Sequence, residues 1–185
     1  VFHGLPSFPK LGEEVWTEGV EVTAGGAMNT PAALSKLGLK VGLATTLGND
    51  FFGQFILSKM KEEGIALDLI QRIERAFPQV SVSLNYANDR AFVSYAERED
   101  TAICVRHWQD VVAQVNTQWF HFYASSEHGH TELMRQARQR GKKVSLDSGW
   151  HPEWLRSAEI REQTRLADVF LPNLKEAQMI TGKKD

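Results

Sequence analysis

The sequence predicts an α/β fold, a parallel sheet covered by helices on both faces with a small antiparallel β layer beside it. Three observations carry that expectation. Short apolar runs at 41–47 (VGLATTL), 119–124 (WFHFYA) and 143–147 (KVSLD) alternate with helix-patterned stretches closed by Gly38, Gly64 and Gly141. One stretch, 77–96, breaks that rhythm with strict polar–apolar alternation. Finally, 185 residues that are 42% hydrophobic and 24% charged suit one ordinary domain and exclude both a disordered chain and a many-domain assembly.

Taken in order, Val15, Thr17, Val20 and Val22 alternate loosely and suggest a strand or two before Gly25-Gly26. Thr30-Pro31 reads as an N-cap followed by proline at the first helical position, with the helix running to Gly38. Val41 to Leu47 is a buried-type strand, and Asp50 is expected to cap a helix carrying Phe55, Ile56 and Met60 and ending at Gly64. Val80, Val82, Leu84 and Tyr86 then alternate with polar partners, turn at Asn88-Asp89 and return through Phe92 to Tyr95, a hairpin with one dry face. Helices near 107–115, 130–140, 153–163 and 175–181 and strands at 119–124, 143–147 and 168–171 complete the pattern. Residues 13–24 and 77–96 are candidates to pair as a small sheet acting as a lid. There are no repeats and no low-complexity linker.

Charge narrows the function classes. Lys plus Arg number 21 against 23 Asp plus Glu, a net charge of −2, so no broad field attracts nucleic acid or anionic lipid. The lone Cys104 makes no intrachain disulfide, and no apolar run approaches the roughly 18 residues of a membrane span. These features read as cytoplasmic. The chain opens on Val1 without a signal-like segment and closes at 181–185 just past an apparent helix cap, so it is expected to be part of something longer.

In open α/β sheets ligands sit beyond the carboxyl ends of strands. Gly25-Gly26-Ala27-Met28-Asn29 offers a backbone corner without Cβ atoms, helix-start N–H groups, and an amide with donors and an acceptor suited to vicinal hydroxyls. A plain tight turn before a helix explains the same residues equally well. G-x-G-x-x-G is absent, and Gly48–Gly53 (GNDFFG) carries Gln54 where a P-loop needs lysine. His128 and His130 are spaced i, i+2 with no cysteine near, which suits solvated loop residues better than a metal set.

The run GGAMNTPAALSKLGLKVGLATTLGNDFFG, with Asn29 three positions after the glycine pair and Gly-x-Asp-x-x-Gly at 48–53, resembles the N-terminal signature of the ribokinase-like, or PfkB, carbohydrate kinases. Leu11-Gly12-Glu13, a lid hairpin at 77–96 and Asn173-Leu174-Lys175-Glu176 extend the resemblance over nearly the whole chain. Pro31 departs from the small residue usual there. The resemblance implies a ribokinase-like three-layer α/β/α domain of which 1–185 is the N-terminal part, with lid segments at about 11–24 and 77–98 and an α/β core at about 25–76 and 99–185.

It further implies that Gly25, Gly26 and Asn29 bind sugar hydroxyls, and that Asn173 and Glu176 lie near the nucleotide phosphates and order Mg²⁺ largely through water, with no direct metal ligand. Hard oxygen donors suit a hydrated Mg²⁺ shared with phosphate. On the residues alone, Glu176 is better explained as a first-turn acid favoured by the helix dipole. Asp147 aligns with an acidic position that many relatives follow with Asn, here Gly149, and Arg90 and Arg98 are left unassigned. No Gly-Ala-Gly-Asp segment, the family's source of base and anion hole, occurs in the chain, so no catalytic residue is assigned and the base is expected beyond Asp185.

The expected function is ATP-dependent phosphorylation of a sugar or sugar acid by the parent protein, a homodimer through the lid, with the isolated chain inactive. The alternative is a non-catalytic carbohydrate-binding or dimerising module. A nicotinamide-dependent dehydrogenase is disfavoured by the missing glycine fingerprint.

Overall fold

The computed structural model describes residues 1–97, 101–124 and 129–184, so Arg98 and His128 lie outside the described residues. The chain forms two compact units, Val1–Arg98 and Glu99–Asp185.

The first unit contains β1 (Phe2–His3), β2 (Gly19–Val20), a 3₁₀ turn (Gly26–Met28), α1 (Asn29–Lys36), β3 (Thr45–Leu47), α2 (Phe51–Glu62), β4 (Ile70–Arg72), β5 (Gln79–Asn85) and β6 (Arg90–Ala96). One sheet runs β2-β1-β5-β6, and β3 pairs with β4 in parallel. Met28, Met60 and Ile65 form a small core flanked by Ala24, Ala32, Leu43, Ile56 and Ile70.

Several expectations shift here. The helix starts at Asn29 behind the 3₁₀ turn, so Met28 rather than Thr30 is its N-cap and Pro31 is its third residue. The missing proline N–H costs nothing there, because first-turn donors have no intrahelical partner. Of the stretch 11–24 only Gly19–Val20 is strand, and it pairs antiparallel with β1, which in turn pairs in parallel with β5. The two segments expected to form a lid therefore share a sheet through β1 instead of pairing directly. Val41–Leu47 contracts to Thr45–Leu47 plus one bridge from Gly42 to Ala66, where an added Cβ would press on the Leu69 side chain at 2.7 Å.

The hairpin register joins Val80 to Tyr95, Val82 to Val93 and Leu84 to Ala91. Phe2, opposite both Leu84 and Val20, extends that apolar face across the sheet. The face is not dry: Val20, Val93 and Tyr95 remain 67%, 63% and 59% exposed. Alternation specifies which side chains share a face, but a cover must come from some other element.

The second unit contains α3 (Thr101–Gln114), β7 (Trp119–Ala124), α4 (His130–Gln139), β8 (Lys143–Ser148), α5 (Pro152–Leu155), α6 (Ala158–Leu166), β9 (Val169–Phe170) and α7 (Leu174–Thr181). The sheet β7-β8-β9 is parallel throughout. Phe122, Val144 and Leu146 from one face pack with Val112, Leu133, Met134, Ala137, Trp154, Leu155 and Ile160. Each such large side chain contributes about 1.5–3 kcal/mol by leaving water. Trp119, His121, Tyr123, Ser145 and Asp147 alternate onto the opposite face.

The single helix expected near 153–163 is two, because Ser157 starts a new one by accepting a hydrogen bond from the Ile160 N–H at 3.4 Å. Behind the sheet, the Asp168 carboxylate accepts from Arg138 Nη1 (2.6 Å), Lys143 Nζ (2.9 Å) and the Val144 N–H (2.9 Å). These donors, Arg138 first, hold Asp168 well below the usual carboxylate range.

Candidate functional site

The glycine corner is built on a buried anchor. Met28, 6% exposed, plugs the small core, while Gly25, Gly26 and Asn29 around it stay at the surface. Gly25 has φ 88° and ψ 171°, a left-handed-side conformation that a side chain strongly disfavours. A Cβ at Gly25 or Gly26 would meet nothing within 4 Å, so packing does not require either glycine and the space beside the backbone is open. The Met28 N–H bonds the Gly25 carbonyl at 3.2 Å, and the Asn29 N–H bonds the Gly26 carbonyl. The Asn29 side chain makes no hydrogen bond to any described residue. The corner thus presents open backbone and a free carboxamide, which together can donate to and accept from adjacent hydroxyls.

The Gly-x-Asp-x-x-Gly segment has a different character. Asp50 caps α2, its Oδ1 accepting from the Gly53 N–H at 3.0 Å, while Oδ2 accepts from the Phe77 N–H at 2.5 Å. The Phe77 bond, then that to Gly53, holds Asp50 below the ordinary carboxylate range. A Cβ on Gly48 would stand 2.6 Å from the Phe77 nitrogen and 2.7 Å from the Arg75 carbonyl, and one on Gly53 would overlap the Gly48 carbonyl. These residues join the start of α2 to the root of the hairpin.

In the second unit, Asn173 and Glu176 come together at the carboxyl edge of the β7-β8-β9 sheet. They form a reciprocal capping box on α7: the Glu176 N–H donates to Asn173 Oδ1 (2.9 Å) and the Asn173 N–H to Glu176 Oε2 (2.9 Å). Asn173 Nδ2 also donates to Glu176 Oε1 (2.6 Å), and the Ser148 hydroxyl to Oε2 (3.2 Å). Glu176 is 5% exposed and Asn173 is exposed. The first-turn reading of Glu176 therefore holds structurally, and Ser148 is a partner that the sequence reading passed over. Its signal was its position, the last residue of the strand that carries Asp147.

Asp147 stands opposite Tyr123 on the face away from the core, half-buried. On the same face His121 Nδ1 is 2.9 Å from Ser145 Oγ, which also accepts from Trp119 Nε1 at 2.8 Å. Burial lowers the His121 pKa, and the Asp147 charge opposes that shift. Arg90 lies over the Phe92 ring at 5.5 Å. Among the described residues no group of three His, Cys, Asp or Glu side chains is arranged to hold a metal ion.

The family pattern described as pfkB family carbohydrate kinase matches residues 9–185. The chain is 25% identical over 186 residues to the 2-dehydro-3-deoxygluconokinase of Bacillus subtilis (strain 168), covering 87% of this chain and 54% of that protein. Among solved structures, fructokinase from Xylella fastidiosa superposes with a TM-score of 0.73 at 25% identity, over 96% of this chain and 60% of that one. The same organism's fructokinase with bound ATP gives 0.66 at 24% identity, over 85% and 52%. The chain spans about half the length of the curated relatives it matches. Its α/β architecture is that of the ribokinase-like fold, and with nearly all of its residues matched, the chain belongs to the pfkB family of carbohydrate kinases.

Proposed function

We propose that the protein to which these residues belong transfers the γ-phosphoryl group of ATP to a hydroxyl of a sugar or sugar acid, by in-line attack. The observation that carries this reading is the corner at 25–29, where open glycine backbone stands beside a free Asn29 carboxamide in the segment that the family resemblance implies for sugar hydroxyls. Gly25, Gly26 and Asn29 hold and orient the acceptor, and the hairpin β5–β6 excludes water as it closes.

Asn173 and Glu176 serve the nucleotide end. Glu176 is buried and already accepts three hydrogen bonds, so it offers no open ligand set, which favours a hydrated Mg²⁺ held through water over a directly coordinated one. When bound, that ion neutralises charge on the phosphate oxygens. No residue of the chain is proposed as the base. The absence of a Gly-Ala-Gly-Asp segment supports the corollary that residues 1–185 alone do not turn over.

A coupled assay on the complete protein, with 2-dehydro-3-deoxygluconate, fructose, pentoses and nucleosides as acceptors, tests the reading. ATP turnover dependent on one of the sugars or sugar acids supports it; turnover with none of them overturns it. Turnover by residues 1–185 alone would overturn the corollary.

A dimerising role for the lid has its own support in the exposed Val20, Val93 and Tyr95 on one sheet face. We propose that a second copy covers it, which sedimentation checks: Val93→Glu should convert a dimer to a monomer. The lone thiol and the use of ATP suit a cytoplasmic location, and no helix among the described residues is long and apolar enough to cross a membrane.

A further inference from the structure

Strand β8 presents Val144, Leu146 and Ser148 to one face at alternate positions. Val144 and Leu146 are fully buried in the core of the second unit, and Ser148, 7% exposed, follows them at the carboxyl end of the strand. A buried position of this kind ordinarily holds an apolar residue. The serine hydroxyl instead donates to Glu176 Oε2 at 3.2 Å, a bond between two buried groups.

The other two hydrogen bonds to that carboxylate are local. The Asn173 N–H and the Asn173 Nδ2 come from the residue that caps α7, three positions before Glu176. They fix the carboxylate relative to its own helix. Ser148 is the donor that fixes it relative to the sheet. β8 is the middle strand of three, paired with β7 as far as Ser148 and with β9 at Ser145 and Leu146, so the hydroxyl projects from a strand held on both sides.

Folding alone does not require this arrangement. A buried charged group with its partners is often no more stable than apolar residues packed in the same place, and a serine in line with Val144 and Leu146 forgoes the apolar burial that valine or leucine would supply. What the bond does supply is position, because a carboxylate carried on an eight-residue helix is registered to the end of the strand.

We propose that Ser148 is a positioning residue for the nucleotide end, holding the Glu176 carboxylate where it orders the water around the Mg²⁺ that accompanies ATP; this rests on the nucleotide role given to Asn173 and Glu176 above. With its one proton given to Glu176 and its side chain buried, Ser148 acts through that carboxylate rather than on ATP itself.

A double-mutant cycle read by isothermal titration of the complete protein tests this. Ser148→Ala should weaken binding of Mg·ATP by about tenfold, the scale of loss when a partner that orients a metal-site group is removed. Binding of ATP in EDTA, without Mg²⁺, and the sugar KM should stay unchanged. In a Glu176→Ala background, Ser148→Ala should have no further effect on Mg·ATP. Far-ultraviolet circular dichroism checks that each variant folds, and Ser148→Cys, close in size and a weak donor, gives the same comparison if the alanine variant does not fold. A merely structural serine gives equal losses for ATP with and without Mg²⁺, or losses that add in the double variant, and either result overturns the proposal. Full Mg·ATP affinity in Ser148→Ala overturns it as well, and leaves the kinase reading standing if Glu176→Ala still weakens binding. If Glu176→Ala itself binds Mg·ATP as wild type does, the proposal falls together with the nucleotide role of Glu176.

Discussion

Replacing Asp50 by alanine tests how the family signature is held together. Its carboxylate accepts from the Gly53 N–H at 3.0 Å and from the Phe77 N–H at 2.5 Å, so one substitution removes a helix cap and strands a second amide. Losing an N-cap costs about 1 kcal/mol. Phe77 is only 6% exposed, and an unsatisfied buried donor costs about 1–3 kcal/mol. Asp50→Ala should therefore lower stability by about 3 kcal/mol, and Asp50→Asn, which retains one good acceptor, by about 1 kcal/mol. Equilibrium urea unfolding followed by far-ultraviolet circular dichroism measures both. The folded-state pKa of Asp50 is depressed, so its stabilisation is present above the ordinary carboxylate value and fades as pH falls through the folded one. The difference between wild type and Asp50→Asn should shrink accordingly in acid. A loss below about 1 kcal/mol in Asp50→Ala, or equal losses in the two variants at every pH, would refute the two-amide account.

Gly48→Ala should destabilise by about 1–3 kcal/mol through overpacking against the Phe77 nitrogen and the Arg75 carbonyl, again read by urea unfolding. Glu176→Gln should cost about 1 kcal/mol by placing a donor among the three donors now facing the carboxylate, and Glu176→Ala more; in the complete protein both should weaken ATP binding, read by titration. Asp168→Asn should flatten the acid limb of the stability curve, because a depressed folded pKa gives stabilisation that persists above the unfolded value and is lost as pH falls. Asn29→Ala in the complete protein should raise the sugar KM by about tenfold with little change in the melting curve.

What was legible in the sequence divides by the range of the forces involved. Asp50 as cap, the stops at Gly38, Gly64 and Gly141, and a hairpin that reverses through Asn88-Asp89 follow from local backbone chemistry and appear in the structure, whereas the pairing register, Asn85 to Arg90 across residues 86–89, was not specified by the pattern. The open apolar face of the hairpin did not follow, since alternation says which residues share a side and nothing about cover. β1 and β4 escaped notice because two or three residues carry no period, and their pairing partners lie 16 or more positions away. The break between α5 and α6 turns on Ser157 competing as a cap inside an otherwise helical pattern. For the candidate site, Asn173 and Glu176 are legible together from their spacing, whereas Ser148 offered only its place at a strand end, because it meets the carboxylate through the strand-to-helix fold.

The family signature therefore contains two physical populations. Gly48, Asp50 and Gly53 are accounted for by close backbone approach and by capping, and much of Glu176 by its box, so their presence says little about ligands. Asn29 is different: it occupies the first turn of α1, is exposed, and bonds no described side chain or backbone through its carboxamide. Asparagine is a poorer helix former than alanine by up to about 0.7 kcal/mol. Stability thus gives no reason for it, and Asn29→Ala should leave the fold unchanged or slightly firmer while weakening the hold on the sugar. Opposite signs in the unfolding curve and the sugar KM are what a binding residue produces. A loss in both would show that the carboxamide supports the turn, and the corner would cease to be evidence for a sugar site.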